Sequence, residues 1–147
     1  MQFYSTNRKT SPVSLREAVV RGLAADRGLF MPEVIRRFPP AFYQNMKEMT
    51  LREISFVVAE AFFGEDVEAG KLKEIVDETL NFDIPLVKVA DNRYSLELFH
   101  GPTLAFKDVG ARFMARLLAY FNKQEGERQV NVLVATSGDT GSAVANG

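Results

Sequence analysis

Cysteine is missing from the 147 residues, and histidine occurs once, at His100. Without thiols there is no disulfide framework and no thiolate metal centre. A single imidazole argues against a histidine-based metal site and against a Ser-His-Asp triad. Neither sign of charge dominates, with 18 Lys and Arg against 19 Asp and Glu and a formal net charge of -1. Such a balance gives no long-range attraction to nucleic acid or to an anionic membrane. No apolar run approaches the length of a bilayer span, and the opening MQFYSTNRKTSP lacks the apolar stretch of a signal peptide. The expectation is a soluble cytoplasmic protein without metal. What is present is ordinary for a globular chain of one-domain size, with 46% hydrophobic and 25% charged residues.

The first half reads as helical. Phe3 anchors a short extended segment at the start. Ser14-Leu15-Arg16-Glu17 fits a capping box, in which Ser14 caps and Glu17 reaches back, and Leu15, Ala18, Val19 and Leu23 mark the helical face that follows. Asp26-Arg27-Gly28 is a turn. Pro32 suits the first position of a short helix through about Phe38, which Pro39-Pro40 breaks. Thr50-Leu51-Arg52-Glu53 is a second capping box. It is followed by an apolar stripe of Leu51, Ile54, Val57, Val58, Ala61 and Phe62, closed at Gly64. A further helix runs from near Asp66 to near Leu80, with Leu72, Ile75, Val76 and Leu80 inward. These stripes are core positions and carry no chemistry of their own.

At Ile84 the pattern changes. Ile84–Ala90 and Tyr94–Phe99 read as the arms of a hairpin turned at Asp91-Asn92-Arg93, because Asp and Asn tolerate left-handed backbone. A long helix is expected from about Leu104 to Asn122, with Val109, Phe113, Leu117 and Tyr120 on one face and Arg112 and Arg116 elsewhere. Glu125-Gly126-Glu127 is a solvated turn. Val130–Ala135 (VNVLVA) suits a parallel strand buried on both faces. It leads into Thr136-Ser137-Gly138-Asp139-Thr140-Gly141 and a helix start at Ser142. The fold class expected is α/β: an N-terminal helical subdomain over 1–82, then over 83–147 a hairpin and the first part of a doubly wound, mainly parallel sheet. One parallel strand does not complete a βαβ unit, and the helix entered at Ser142 is still running at Gly147, so the chain reads as an N-terminal fragment.

Two stretches carry chemistry. Lys107 sits in the first turn of the long helix, where backbone N–H groups repel a cation. With burial, the same field favours a neutral, nucleophilic amine, which Schiff-base chemistry requires. Phe106 and Leu104 are poor company for a solvated charge. Thr136–Gly141 offers hydroxyls, free N–H groups and glycines that admit a ligand closely, a layout that can hold a carboxylate or a phosphate. No Gly-Lys-Ser/Thr follows, so it is not a P-loop, and it is not a GxGxxG fingerprint. Asp139 would repel a phosphate but could accept a hydrogen bond from a phenolic oxygen or an imine. His100 reads as a hydrogen-bonded corner residue, Pro102 as the residue fixing that corner, Thr103 as a helix cap, and Asp108 as a surface partner for Arg112 at i, i+4.

HGPTLAFKD and SGDTG together resemble threonine synthase, a pyridoxal-phosphate enzyme of the tryptophan-synthase-like fold. So does YSTNRKTSPVSLREAVVRGLAADRGLFMPE near the start, and the resemblance covers essentially the whole chain. It implies that Lys107 is the lysine holding pyridoxal 5'-phosphate, with Phe106 walling the site. Asp139 would lie by the cofactor's ring oxygen, and Ser137, Gly138, Asp139 and Thr140 would face the substrate's carboxylate. The substrate would be O-phospho-L-homoserine and the products L-threonine and phosphate. The family's glycine-rich loop for the cofactor phosphate is not among these residues, so the chain alone is expected to be inactive. It is also expected to self-associate through an exposed apolar edge. The alternatives are a dehydratase or β-replacement enzyme of the same fold, a non-catalytic interaction module, and a phosphosugar or mononucleotide binder using Thr136–Gly141.

Overall fold

The computed structural model describes residues 1–124, 126 and 129–147, so Glu125 and Glu127 of the solvated turn lie outside the described residues. The chain divides into two compact units, Met1–Val76 and Asp77–Gly147.

In the first unit, strand β1 (Gln2–Ser5) runs antiparallel between β2 (Val13–Ser14) and β3 (Phe30–Pro32). Phe3 faces Val13 on one side and Pro32 on the other, and its ring is buried. Helix α1 (Leu15–Arg21) begins where Ser14 Oγ accepts the Glu17 N–H at 3.2 Å. Glu17 then turns its carboxylate to Arg21 at 2.8 Å instead of back to the cap.

Pro32 does not open a helix. It ends β3, an edge strand, where a missing N–H is tolerated. No helix forms over 32–38, and the proline pair expected to break it instead opens the next helix, α2 (Pro40–Asn45), with Pro39 as its extended cap and Pro40 at its first position. Proline suits that first position because its missing N–H would have no intrahelical partner there anyway. Helix α3 (Leu51–Phe63) carries a complete capping box, Thr50 with Glu53, and Gly64 stands at its C-terminal cap. Its stripe is only half-buried, with Ala59 the innermost residue and Leu51 exposed. Helix α4 (Ala69–Thr79) supplies the core of this unit: Leu72 is wholly buried, and Val67, Ile75 and Val76 are buried with it.

In the second unit, β4 (Leu86–Ala90) and β5 (Arg93–Leu96) form the expected antiparallel hairpin, with Leu86 opposite Leu96. Asp91-Asn92 make the turn, and Asn92 takes the left-handed conformation, φ 56°. Helix α5 (Lys107–Gln124) buries Asp108, Arg112, Leu117 and Phe121. That line differs from the all-apolar face expected, because two charged side chains are inward. Helix α6 (Asp139–Asn146) packs on α5 and buries Ala143.

The buried parallel strand at 130–135 is not formed. The segment has no regular secondary structure and is in no ladder, and Leu133 is 95% exposed. A strand needs a neighbour to receive its backbone hydrogen bonds, and among the described residues none lies beside it. Among the described residues the strand pairs are antiparallel. Beside this segment an apolar groove of about 450 Å³ opens against α5, lined by Met114, Leu118, Val130, Val132 and Val144 among others.

Candidate functional site

The site grows from a corner. Gly101 accepts the Leu104 N–H through its carbonyl at 3.1 Å, and Ala105 accepts the Asp108 N–H at 3.0 Å. Between these bonds Leu104 adopts φ 58°, a left-handed conformation uncommon for a residue with a side chain. Helix α5 then starts at Lys107 itself, three residues later than the apolar pattern suggests. Thr103 therefore does not cap it. Its hydroxyl donates to Asp108 Oδ1 at 2.6 Å and its N–H to Asp108 Oδ2 at 2.9 Å.

Asp108 is fully buried, not a surface partner. Arg112 is buried too. It donates to Asn81 Oδ1 at 2.8 Å and to the Glu78 carbonyl at 2.7 Å, with its guanidinium 5.7 Å from the Phe82 ring centre. Burial pulls the Arg112 guanidinium below its usual value, opposed by the charges of Asp108 and Glu78. His100 bonds Glu97 at 2.7 Å, beside the ring of Phe99.

From this corner Lys107 points at the second motif. Its Nζ donates to Asp139 Oδ2 at 3.3 Å and stands 5.5 Å from the centre of the Phe106 ring. That bond holds the Asp139 carboxyl below its usual range. The dry pocket expected around Lys107 is not there. Its side chain keeps 35% of its exposure, and Phe106 is largely exposed. The amine lies 3.3 Å from the Asp139 carboxylate and is partly open to solvent. The residues of the second motif around it, Ser137 to Asp139, are themselves exposed.

The loop residues come together as the sequence suggests, with one change: α6 begins at Asp139, inside the loop, not at Ser142. Gly138 caps it at φ 148°, in backbone that favours glycine, and a Cβ there would meet only open space. Gly138 N–H donates to Thr136 Oγ1, and Ser142 Oγ bonds the carbonyls of Gly138 and Asp139. Ser137 and Asp139 are exposed and Thr140 is half-buried at the start of α6. Lys107 Nζ and the Asp139 carboxylate thus meet beside the Gly138 turn, whose own N–H is taken up by Thr136 Oγ1.

Comparison with known proteins bears on what this arrangement is. The sequence family described as threonine synthase N terminus matches residues 2–80. The chain belongs to the threonine synthase N-terminal family. A threonine synthase from Serratia marcescens is 42% identical over 146 residues, covering 99% of this chain and 33% of that protein. The crystal structure of threonine synthase from Escherichia coli superposes with a TM-score of 0.90 at 38% identity, over 99% of this chain and 33% of that one. A pyridoxal-phosphate-bound threonine synthase from Brucella melitensis superposes at 0.88 with 34% identity, over 99% and 32%. The chain spans about a third of the length of the threonine synthases it matches. The mixed α/β architecture is that of this family's N-terminal region.

Sequence reasoning missed the tie from Arg112 to Asn81 and Glu78, and the inward turn of Asp108. A signal for the second was available: a Gly-Pro-Thr corner five residues before a helical Asp offers that carboxylate two donors.

Proposed function

We propose that the chain supplies the amine and the substrate-facing loop of a pyridoxal-phosphate-dependent threonine synthase, a lyase of threonine biosynthesis that converts O-phospho-L-homoserine and water to L-threonine and phosphate. The observation that carries this reading is Lys107 Nζ facing Asp139 and the Gly138 turn across an open crevice. The residues fit the cofactor: a primary amine for its aldehyde, Asp139 for the ring oxygen, and Phe106 for a wall. When bound, pyridoxal phosphate supplies an electron sink for carbanions at the substrate's α and β carbons. Lys107, once deprotonated, takes a proton from the α carbon and returns protons as phosphate leaves the γ carbon and water adds at the β carbon. Ser137, Gly138, Asp139 and Thr140 orient the substrate carboxylate through hydroxyls and N–H groups at the start of α6. Phe106, with its ring centre 5.5 Å from Lys107 Nζ, offers an apolar wall beside the amine.

A cytoplasmic location goes with a biosynthetic role. Among the described residues no helix is long and apolar enough to cross a membrane. The domain division we favour follows the change of pattern near Asp83, with the first 82 residues as the helical part and the remainder contributing to the cofactor-binding part.

The test is a chimera in which this chain replaces the matching third of the Serratia marcescens protein. Phosphate release and threonine formation from O-phospho-L-homoserine are expected, and Lys107→Ala abolishes both. A chimera that binds the cofactor but turns over serine or threonine instead makes the protein a dehydratase. The chain by itself is expected to form no threonine, because it spans about a third of the threonine synthases it matches.

A further inference from the structure

We propose that Asp108 is the positioning residue that aims Lys107 at the Gly138–Asp139 loop. This rests on the role given to Lys107 above. Asp108 has no exposure at all, and a buried carboxylate is tolerated only where donors satisfy it. Its donors are both on Thr103, the N–H to one oxygen and the hydroxyl to the other. Gly101 lies flush against the same carboxylate, and a Cβ there would come within 2.5 Å of Asp108 Oδ2. The backbone from Gly101 to Asp108 is thus wrapped around one side chain, closed by the bonds Leu104 N–H to Gly101 and Asp108 N–H to Ala105.

Lys107 lies inside that closed loop, one residue before the carboxylate. Its backbone cannot rotate without breaking either the Thr103 bonds or the Ala105 bond. One turn along the helix, Arg112 anchors α5 to Asn81 and Glu78, and its charge faces Asp108. The start of α5 is therefore held from the corner and from the 78–81 segment together. The direction of the Lys107 side chain, over Phe106 and onto Asp139, follows from that fixed start.

The experiment labels the chain with pyridoxal 5'-phosphate, reduces with borohydride and follows each lysine peptide by mass spectrometry. Lys47, Lys88 and Lys123 serve as references on the same molecules. Thr103→Val and Asp108→Asn are expected to slow Lys107 relative to these references by on the order of ten-fold, since small misplacements of a reacting group cost that much or more. Thr103→Ser, which keeps both donors, restores the wild-type ratio. A second readout uses the methyl resonance of reductively methylated Lys107, assigned with Lys107→Arg. Asp139→Asn gives the shift that marks loss of the Asp139 contact, and Asp108→Asn is expected to move the resonance the same way. If Asp108→Asn lowers only the melting temperature, while the labelling ratio and the resonance hold, Asp108 is a structural carboxylate and the proposal is overturned. A wild-type Lys107 that labels no faster than the references contradicts its role as the cofactor amine. The resonance alone then decides the positioning role, for or against.

Discussion

Asp26 carries one small network in the first unit. It accepts from Ser5 Oγ at 2.6 Å, from the Gly28 N–H at 3.0 Å and from the Lys9 N–H at 2.9 Å. The Ser5 bond is the main reason its carboxyl is held below the usual range. A group depressed in the folded state contributes stability above its unfolded value, and that contribution is lost as pH falls through the folded value. Urea midpoints for the chain and for Asp26→Asn should therefore differ at pH 5 and converge as pH falls through the lowered folded-state value. Equal gaps across that range would mean that the ionised form contributes nothing. The α-ammonium of Met1 behaves oppositely. It is paired with Glu65 at 2.8 Å and Asp66 at 3.2 Å, and the Glu65 bond is the largest cause raising it. That tie is present below pH 8 and fades as pH rises through the raised value. Gly101 gives a second residue-scale prediction. Gly101→Ala pushes a methyl into the Asp108 carboxylate, so the melting temperature should fall by several degrees. An unchanged melting curve would mean that the corner opens freely.

The starts of α1 and α3 were the most legible points of the helices. A hydroxyl three residues before a glutamate identified both cap sites, because capping is local chemistry between neighbours. Thr50→Ala should cost about 1 kcal/mol in chemical denaturation. The face of α4 was legible as well, since its apolar period is strict and Leu72, Ile75 and Val76 are all buried. Leu72→Ala should cost roughly 2–5 kcal/mol, measured in the same way, as a wholly buried leucine leaves a cavity. Less legible was any element whose state depends on distant partners. Pro32 fits a helix start and an edge strand equally well until β1 is seen beside it. VNVLVA has the composition of a buried strand, but composition does not supply a neighbouring ladder. The charged line inside α5 was hidden because Asp108 and Arg112 look like a surface pair at i, i+4. Only the corner and the 78–81 segment reveal that each has a buried partner.

At the scale of the whole molecule, the architecture and the meeting of two motifs were readable, and the environment of the site was not. Lys107 and Asp139 are 32 residues apart in sequence and bonded in space. A resemblance could bring them together on paper; burial could not be read the same way, and the amine proved to be open to solvent. Exposed apolar residues at 130–134 and the groove beside them predict that the isolated chain self-associates. Light scattering should fall on Leu133→Lys, and scattering that persists unchanged would exclude this face. The central claim concerns one nitrogen atom. Incubation with pyridoxal 5'-phosphate, borohydride reduction, digestion and peptide mass mapping finds the lysine that carries the pyridoxyl group. The account predicts the tag on the peptide containing Phe106-Lys107-Asp108, and a tag confined to any other lysine contradicts it.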